Sequence, residues 1–268
     1  EVGAGISQIA VSPDGTQVAY ALGTGLIGLR RVVDGALLMT WQWQEAVAKC
    51  VVFSPPGLSA TGALIASAMD GGWRLLESDG AVTAREKQLL RRAGRVGDGI
   101  WGLPYSGAPV FISETGTRSL DDVPGIGEAF LEGSSSPSGD MAVLVSDDGG
   151  IWFFDGEALT QADRHLDVVA ADIGDGGHPL VLAERHRVCI DRACLPWDDS
   201  VVDVAVGQGL LAIGTLGGDV HLVDLDTHTT VGLLQGHSGR VSSVEFGPGW
   251  VASGSWDGSL RIWDLSVL

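Results

Sequence analysis

Seven Pro/Gly turns, each closing a short alternating apolar run, recur along this chain at nearly constant spacing. They are SPDG at Ser12, FSPP at Phe53, LPYS at Leu103, SSPSGD at Ser135, IGDGG at Ile173, VGQG at Val206 and FGPG at Phe246. Ser12 to Phe246 makes six intervals of about 39 residues each. That period suits a unit of four short strands and is too long for leucine-rich or ankyrin units. A lone four-stranded sheet of this size exposes two apolar faces, so the units must cover one another.

Inside each unit the pattern repeats. A short apolar strand follows the turn (QVAYAL, ALIASA, APVFIS, MAVLVS, PLVLAE, LLAIGT, WVASGS), then a Gly/Asp-rich tight turn, then a third strand such as WRLLE, IWFFD or LRIWD. Asp-Gly between alternating apolar runs is a strong hairpin signal, seen at Val33, Ser78 and Phe153. The nearest thing to an amphipathic helix is Ala84 to Arg95, in the longest interval. The spacing predicts an all-β, seven-bladed propeller of four-stranded antiparallel blades, since radial packing leaves only short protected edges. The approximate blades of this single domain are 1–41, 42–90, 91–126, 127–164, 165–199, 200–235 and 236–268.

Charge narrows the function. A formal net charge of −18 opposes nucleic-acid binding, which needs a basic face, and disfavours anionic membranes. No apolar run approaches the roughly 18 residues of a membrane helix. The three cysteines, Cys50, Cys189 and Cys194, are an odd number that argues against a disulfide framework and for a reducing, cytoplasmic setting. Cys189 and Cys194 bracket a hairpin turn, IDRA, and are read as core packing.

The chemical inventory is sparse. No phosphate-binding loop, dinucleotide fingerprint, HExxH, zinc spacing or nucleophile elbow occurs, so no cofactor or metal is expected. Acidic pairs at Asp121-Asp122, Asp147-Asp148, Asp172/Asp175 and Asp198-Asp199 read as turn residues, which asparate favours because its side chain bonds nearby backbone. The basic stretch from Arg85 through Arg91, Arg92 and Arg95 reads as an exposed connector.

The last unit resembles the WD-repeat family. The resemblance lies in Gly236-His237, the strand RVSSVEF, VASGS, Trp256-Asp257-Gly258 and Ile262-Trp263-Asp264, and more loosely in the unit before it and in AVSPDGTQVAYAL of the first. It implies a buried hydrogen-bonded set of His237, Ser253, Asp257 and Trp263, with the carboxylate orienting the imidazole and favouring its charged form. The same residue types make up a hydrolase triad, but these positions match the structural set. Other units lack the full quartet: the second keeps Asp70 but has Ala66 at the serine position.

The resemblance further implies partner binding on the face of the second-to-third-strand turns, through two residues near the start of a blade's first strand and the one before the turn aspartate. On the last blade these are Arg240, Ser242 and Trp256; Met69 is the counterpart of Trp256 in the second. The expectation is a non-catalytic interaction, scaffold or sensor module for a protein or peptide. An enzyme, hydrolase or isomerase, would instead need carboxylates, histidines or a metal converging in the central channel. Finally, alignment of Ile6 with Val241 leaves about 27 of 28 strands. The expectation is that the natural chain extends upstream of Glu1, supplies the outer strand of the last blade, and attaches the propeller to an upstream domain. The competing expectation starts that strand at Val267-Leu268.

Overall fold

The apolar runs form strands whose alternate side chains face opposite neighbours. In Ala48–Phe53, Val51 and Phe53 pack with Ala19 and Ile27 of the preceding sheet, while Cys50 and Val52 pack with Ile100 and Val110 of the following one. This period of two is what a strand buried on both faces requires. The computed structural model describes residues 4–42, 47–55, 58, 64–69, 72–121 and 129–267. Asp70 and Asp122 lie outside them.

The described residues form 27 strands in seven antiparallel sheets, each in sequential meander order. Six sheets have four strands and the last has three. The first strands of blades 1 to 7 are Ile6–Val11, Ala48–Phe53, Leu90–Val96, Phe130–Ser135, Ala170–Ile173, Val201–Gly207 and Val241–Gly247. Blade 1 runs to Gln42 and blade 3 opens at Leu90, each one residue from the boundary drawn by spacing.

Seven apolar clusters hold the ring, one between each adjacent pair of blades. The seventh joins the chain ends: Ile6, Ile9, Val18 and Tyr20 of blade 1 close on Ala252 of blade 7, with Trp250 and Leu260 at the margin. Fully burying one Phe130- or Ile9-sized side chain contributes roughly 1.5–3 kcal/mol, so every interface outweighs its few inter-blade hydrogen bonds.

Blade 3 departs from the sequence reading by one strand. LPYS does not close its first strand: Leu103 lies in the second, Gly99–Pro104, and VFIS is the third. The supposed helix or connector at Ala84 to Arg95 is instead the end of strand Val82–Glu86 followed by strand Leu90–Val96. After Asp264 the chain turns into a 3-10 segment, Leu265–Val267, so no new strand begins at Val267; Leu268 lies outside the described residues.

Candidate functional site

The first strand of each blade lines the central channel, and its third residue is placed there by a common device. In six blades the register slips just before it, between Ile6 and Gln8, Ala48 and Cys50, Leu90 and Arg92, Phe130 and Glu132, Val201 and Asp203, and Val241 and Ser243. Such a bulge inserts one residue and re-aims the next. Blade 5 puts Asp172 at the same place. Six of these residues, all but Cys50, line a cavity of about 600 Å³. Cys50 packs in the apolar cluster between blades 2 and 3, where burial pushes its thiol up to about 12.

Asp172 is therefore a channel residue rather than a turn residue, and Arg92 and Arg95 line the cavity rather than an exposed connector. Arg92 Nε pairs with Glu132 at 3.0 Å, and Glu132 holds the guanidinium firmly protonated. The carboxylates also link successive blades. Asp172 Oδ2 accepts from Val206 N (2.5 Å), Asp203 Oδ2 from Val244 N (2.9 Å) and Glu245 Oε2 from Val11 N (2.7 Å). Burial pushes Asp172 up to about 7 and Glu245 up to about 8.

The other candidate surface lies at the opposite end of the inner strands. Trp256 N donates to Arg240 O (3.0 Å), just before Val241–Gly247, whereas the cavity is rimmed by Pro248 and other turn residues beyond that strand's far end. Seven residues at about 3.3 Å each separate the two by roughly 20 Å. Trp256 is 59% exposed, and the Arg240 guanidinium lies 4.4 Å from its ring centroid. This stacking is a cation–π contact. Arg240 Nε has no hydrogen-bond partner among the described residues, and burial lowers the guanidinium's pKa.

Met69, 53% exposed, occupies the corresponding position of blade 2, with its N–H donating to Val47 O. Two further residues at this position escaped the sequence reading. Leu216 in blade 6 donates to Ser200 O and is as exposed as Met69; Tyr105 in blade 3 is 38% exposed, with Arg91 stacked 4.9 Å from its centroid. Leu216 was detectable as the residue before Gly217-Gly218. Tyr105 was hidden by the misplaced strand.

Ser242 does not belong to this surface. It is 6% exposed, and its hydroxyl donates to Ile6 O (2.6 Å), joining the last blade to the first. A bulged serine facing the neighbouring blade's carbonyl is a ring-closing contact.

The structure brings His237, Ser253, Asp257 and Trp263 together. Trp263 Nε1 donates to Ser253 Oγ (2.8 Å), His237 Nε2 lies 2.7 Å from the same oxygen, and His237 Nδ1 lies 3.2 Å from Asp257 Oδ2. Ser259 Oγ, 2.9 Å from Nδ1, is a fifth member. Contrary to the sequence expectation, the imidazole favours its neutral form: burial lowers the His237 pKa more than Asp257 raises it. Burial alone would raise Asp257, but donors from Ser259 and Ser238 reverse this and hold it well below the carboxylate range. Ser253 is fully buried, with its oxygen occupied by two ring nitrogens, which gives no access to a substrate.

Cys189 and Cys194, paired across the outer hairpin of blade 5, form a disulfide with Cα atoms 4.0 Å apart. This corrects the reading of both as unbonded core residues. Among the described residues, no three His, Cys, Asp or Glu side chains are arranged to hold a metal.

The fold and its radial channel define a seven-bladed β-propeller. The family described as WD domain, G-beta repeat matches residues 228–264, the stretch containing the buried quartet. The last repeat is thus similar to WD40 repeats, within a chain whose fold is a seven-bladed β-propeller. It is 35% identical over 83 residues to guanine nucleotide-binding protein subunit beta-5b of Danio rerio, a match covering 30% of this chain and 21% of that protein. It is 43% identical over 49 residues to the periodic tryptophan protein 2 homolog of Neurospora crassa, covering 18% and 6%. These matches thus span about a fifth or less of the relatives' lengths. The computationally designed Ika8 protein superposes with a TM-score of 0.69 over 98% of this chain and 96% of its own, at 15% identity, a likeness of fold alone. No helix among the described residues is long and apolar enough to cross a membrane.

Proposed function

We propose that the chain is a non-catalytic interaction module that captures a protein or peptide on the face carrying Trp256, Tyr105, Met69 and Leu216. One observation carries this reading: four blades place an exposed apolar side chain at the same position, the residue after the second strand. Large apolar groups on one face of an acidic propeller have no core to join, and Trp, Tyr and Arg are the types most enriched at binding hot spots. Arg240 stacks its guanidinium on Trp256 and adds a cation to this face. WD40 propellers typically mediate protein–protein interactions, which agrees. The channel holds carboxylates but no histidine among its lining residues, and three of its four carboxylates are tied to backbone N–H groups. That favours a binding role over an enzymatic one.

The reading includes attachment to a larger polypeptide. Strand Leu260–Asp264 pairs on one side only among the described residues, and such an edge is an aggregation template unless covered. A strand from a segment preceding this sequence is the proposed cover.

A displayed-peptide library selected on the folded chain tests the binding face. Selected peptides should lose about thirtyfold in affinity, roughly 2 kcal/mol, on Trp256→Ala while the melting temperature is unchanged. Selection of nothing, or of peptides that bind Trp256→Ala equally well, removes this face from consideration.

A further inference from the structure

The channel cavity opens among the turns that follow the first strands, at Pro13, Ser138, Gln208 and Pro248, away from Trp256. Its volume of about 600 Å³ is in the range of small-molecule sites. Four carboxyls and two guanidiniums line it: Glu132, Asp172, Asp203 and Glu245 against Arg92 and Arg95. Arg92 is occupied by Glu132. Asp172, Asp203 and Glu245 each give one oxygen to a backbone N–H of the next blade and form no close ion pair among the described residues, although Arg92 favours the charged forms of Asp203 and Glu245 from a distance.

A neutral side chain supplies a second, independent sign. Gln8 is only 8% exposed, lines the cavity, and its Oε1 has no hydrogen-bond partner among the described residues. Asp172, 4% exposed, has Oδ1 in the same condition. A buried acceptor left unsatisfied costs roughly 1–3 kcal/mol, and here such acceptors face one roomy cavity.

We propose that this cavity is a binding site for a small aliphatic diamine, whose ammonium groups donate to Gln8 Oε1, to Asp172 Oδ1 and to the second oxygen of Glu245. An ammonium is donor-only and carries three N–H bonds, matching a set of acceptors with surplus negative charge. A divalent metal fits less well, because no three acidic groups converge as ligands among the described residues. An elongated dication instead spans separate acceptors, its methylenes lying against Ala10, Val52, Ala171 and Ala205.

Calorimetric titration of the folded chain with 1,4-diaminobutane tests this, with 1,4-butanediol as neutral isostere and Mg²⁺ as point cation. Burial raises Asp172 to about 7 and Glu245 to about 8, and raises Asp203 and Glu132; the charged groups facing them are Arg92, Arg95 and, toward the other end, Arg91 and Arg240, while Cys50 stays a thiol. The titration is therefore run at about pH 8.5, where an aliphatic amine is still protonated. The diamine should bind saturably and the diol not at all. Asp172→Asn and Glu245→Gln, which keep an acceptor for Val206 and Val11, should each weaken binding at least about tenfold, the loss of one charge-assisted contact. Trp256→Ala should leave it unchanged, separating this site from the binding face. If an acidic variant fails to fold, Gln8→Met removes an acceptor without touching an inter-blade bond and should weaken binding in the same direction. No saturable heat up to about 10 mM diamine, equal binding of the diol, equal competition by Mg²⁺, or unchanged affinity in every folded channel variant would overturn the proposal.

Discussion

Ser242 Oγ donates to the carbonyl of Ile6 at 2.6 Å, across the seam where the last blade meets the first. The same hydroxyl lies 3.1 Å from Gly254 O, so one buried side chain ties the bulge of blade 7 both to its own second strand and to blade 1. Ser242→Ala removes the donor and leaves the Ile6 carbonyl buried without it. The expected loss is about 1–2 kcal/mol, read as a lower urea midpoint with unchanged slope. A variant of wild-type stability with impaired peptide capture would return Ser242 to the binding face.

The channel carboxyls set an unusual pH dependence. Asp172 moves from 3.8 to about 7 and Glu245 from 4.5 to about 8 on folding, both through burial. Between those values the folded chain retains protons that the unfolded chain has released. Stability from these two groups is therefore full below about pH 4 and lost as pH rises through about 7 to 8. His237 acts with the opposite sign: its lowered pKa makes stability fall as pH drops below the ordinary imidazole value of 6.5. Melting temperature should thus decline from mildly acidic to alkaline pH, and Glu245→Gln, which cannot ionise, should flatten that decline. An alkaline limb identical in the variant would exclude Glu245 as its source.

What the sequence disclosed, and what it hid, follows from where apolar patterning is required. Strands buried between blades must alternate apolar side chains on both faces, so QVAYAL, MAVLVS and LLAIGT announce themselves, and seven turns count seven blades. Inner strands need no such continuity, because one face meets the channel. LRRAGRV has Arg92 and Gly94 at inward positions, loses its apolar alternation, and passes for a charged connector; that displaced the reading of blade 3 by a strand and concealed Tyr105. The polar ring escaped for the same reason, since a bulge that turns one residue inward leaves no mark in periodicity. Ser242 looked like a surface position because the resemblance that placed it there does not reveal that its hydroxyl faces blade 1.

The blade 5 hairpin makes the thiols distinguishable. The Cys189–Cys194 bond closes a loop with a sequence separation of 5, too short to restrict much unfolded-chain freedom, and its reduction should cost about 2 kcal/mol at most. Cys50 is buried with its thiol pushed up to about 12. The native chain should therefore bind no thiol reagent until reductant is added, after which exposed Cys194 should label first and Cys50 only on unfolding. Labelling of two or more thiols before reduction, followed by mass mapping to Cys189 and Cys194, would show that the bond does not form.

Gly254 tests whether the ring closes by fit or merely by proximity. A Cβ on Gly254 would stand 2.6 Å from Ile6 Cγ2 and 2.9 Å from Ile9 Cγ2, two of the residues with which blade 1 fills the seam. Gly214, one blade earlier, is in the same relation to Val241, where a Cβ would lie 2.7 Å from Cγ1. Both glycines let a β-branched side chain of the next blade's inner strand press against the backbone. Alanine is otherwise acceptable in a strand and costs no special conformation there. Any destabilisation by Gly254→Ala therefore reports overpacking, with an expected loss of about 1–3 kcal/mol. Pairing it with Ile6→Ala, which removes the Cγ2 that the new Cβ would meet, should recover part of that loss, giving a coupling of at least about 0.5 kcal/mol in a double-mutant cycle of urea midpoints. Additive effects would mean that blades 1 and 7 do not press together at Gly254, and that the seam is held by Ser242 and the neighbouring apolar contacts without close fit there.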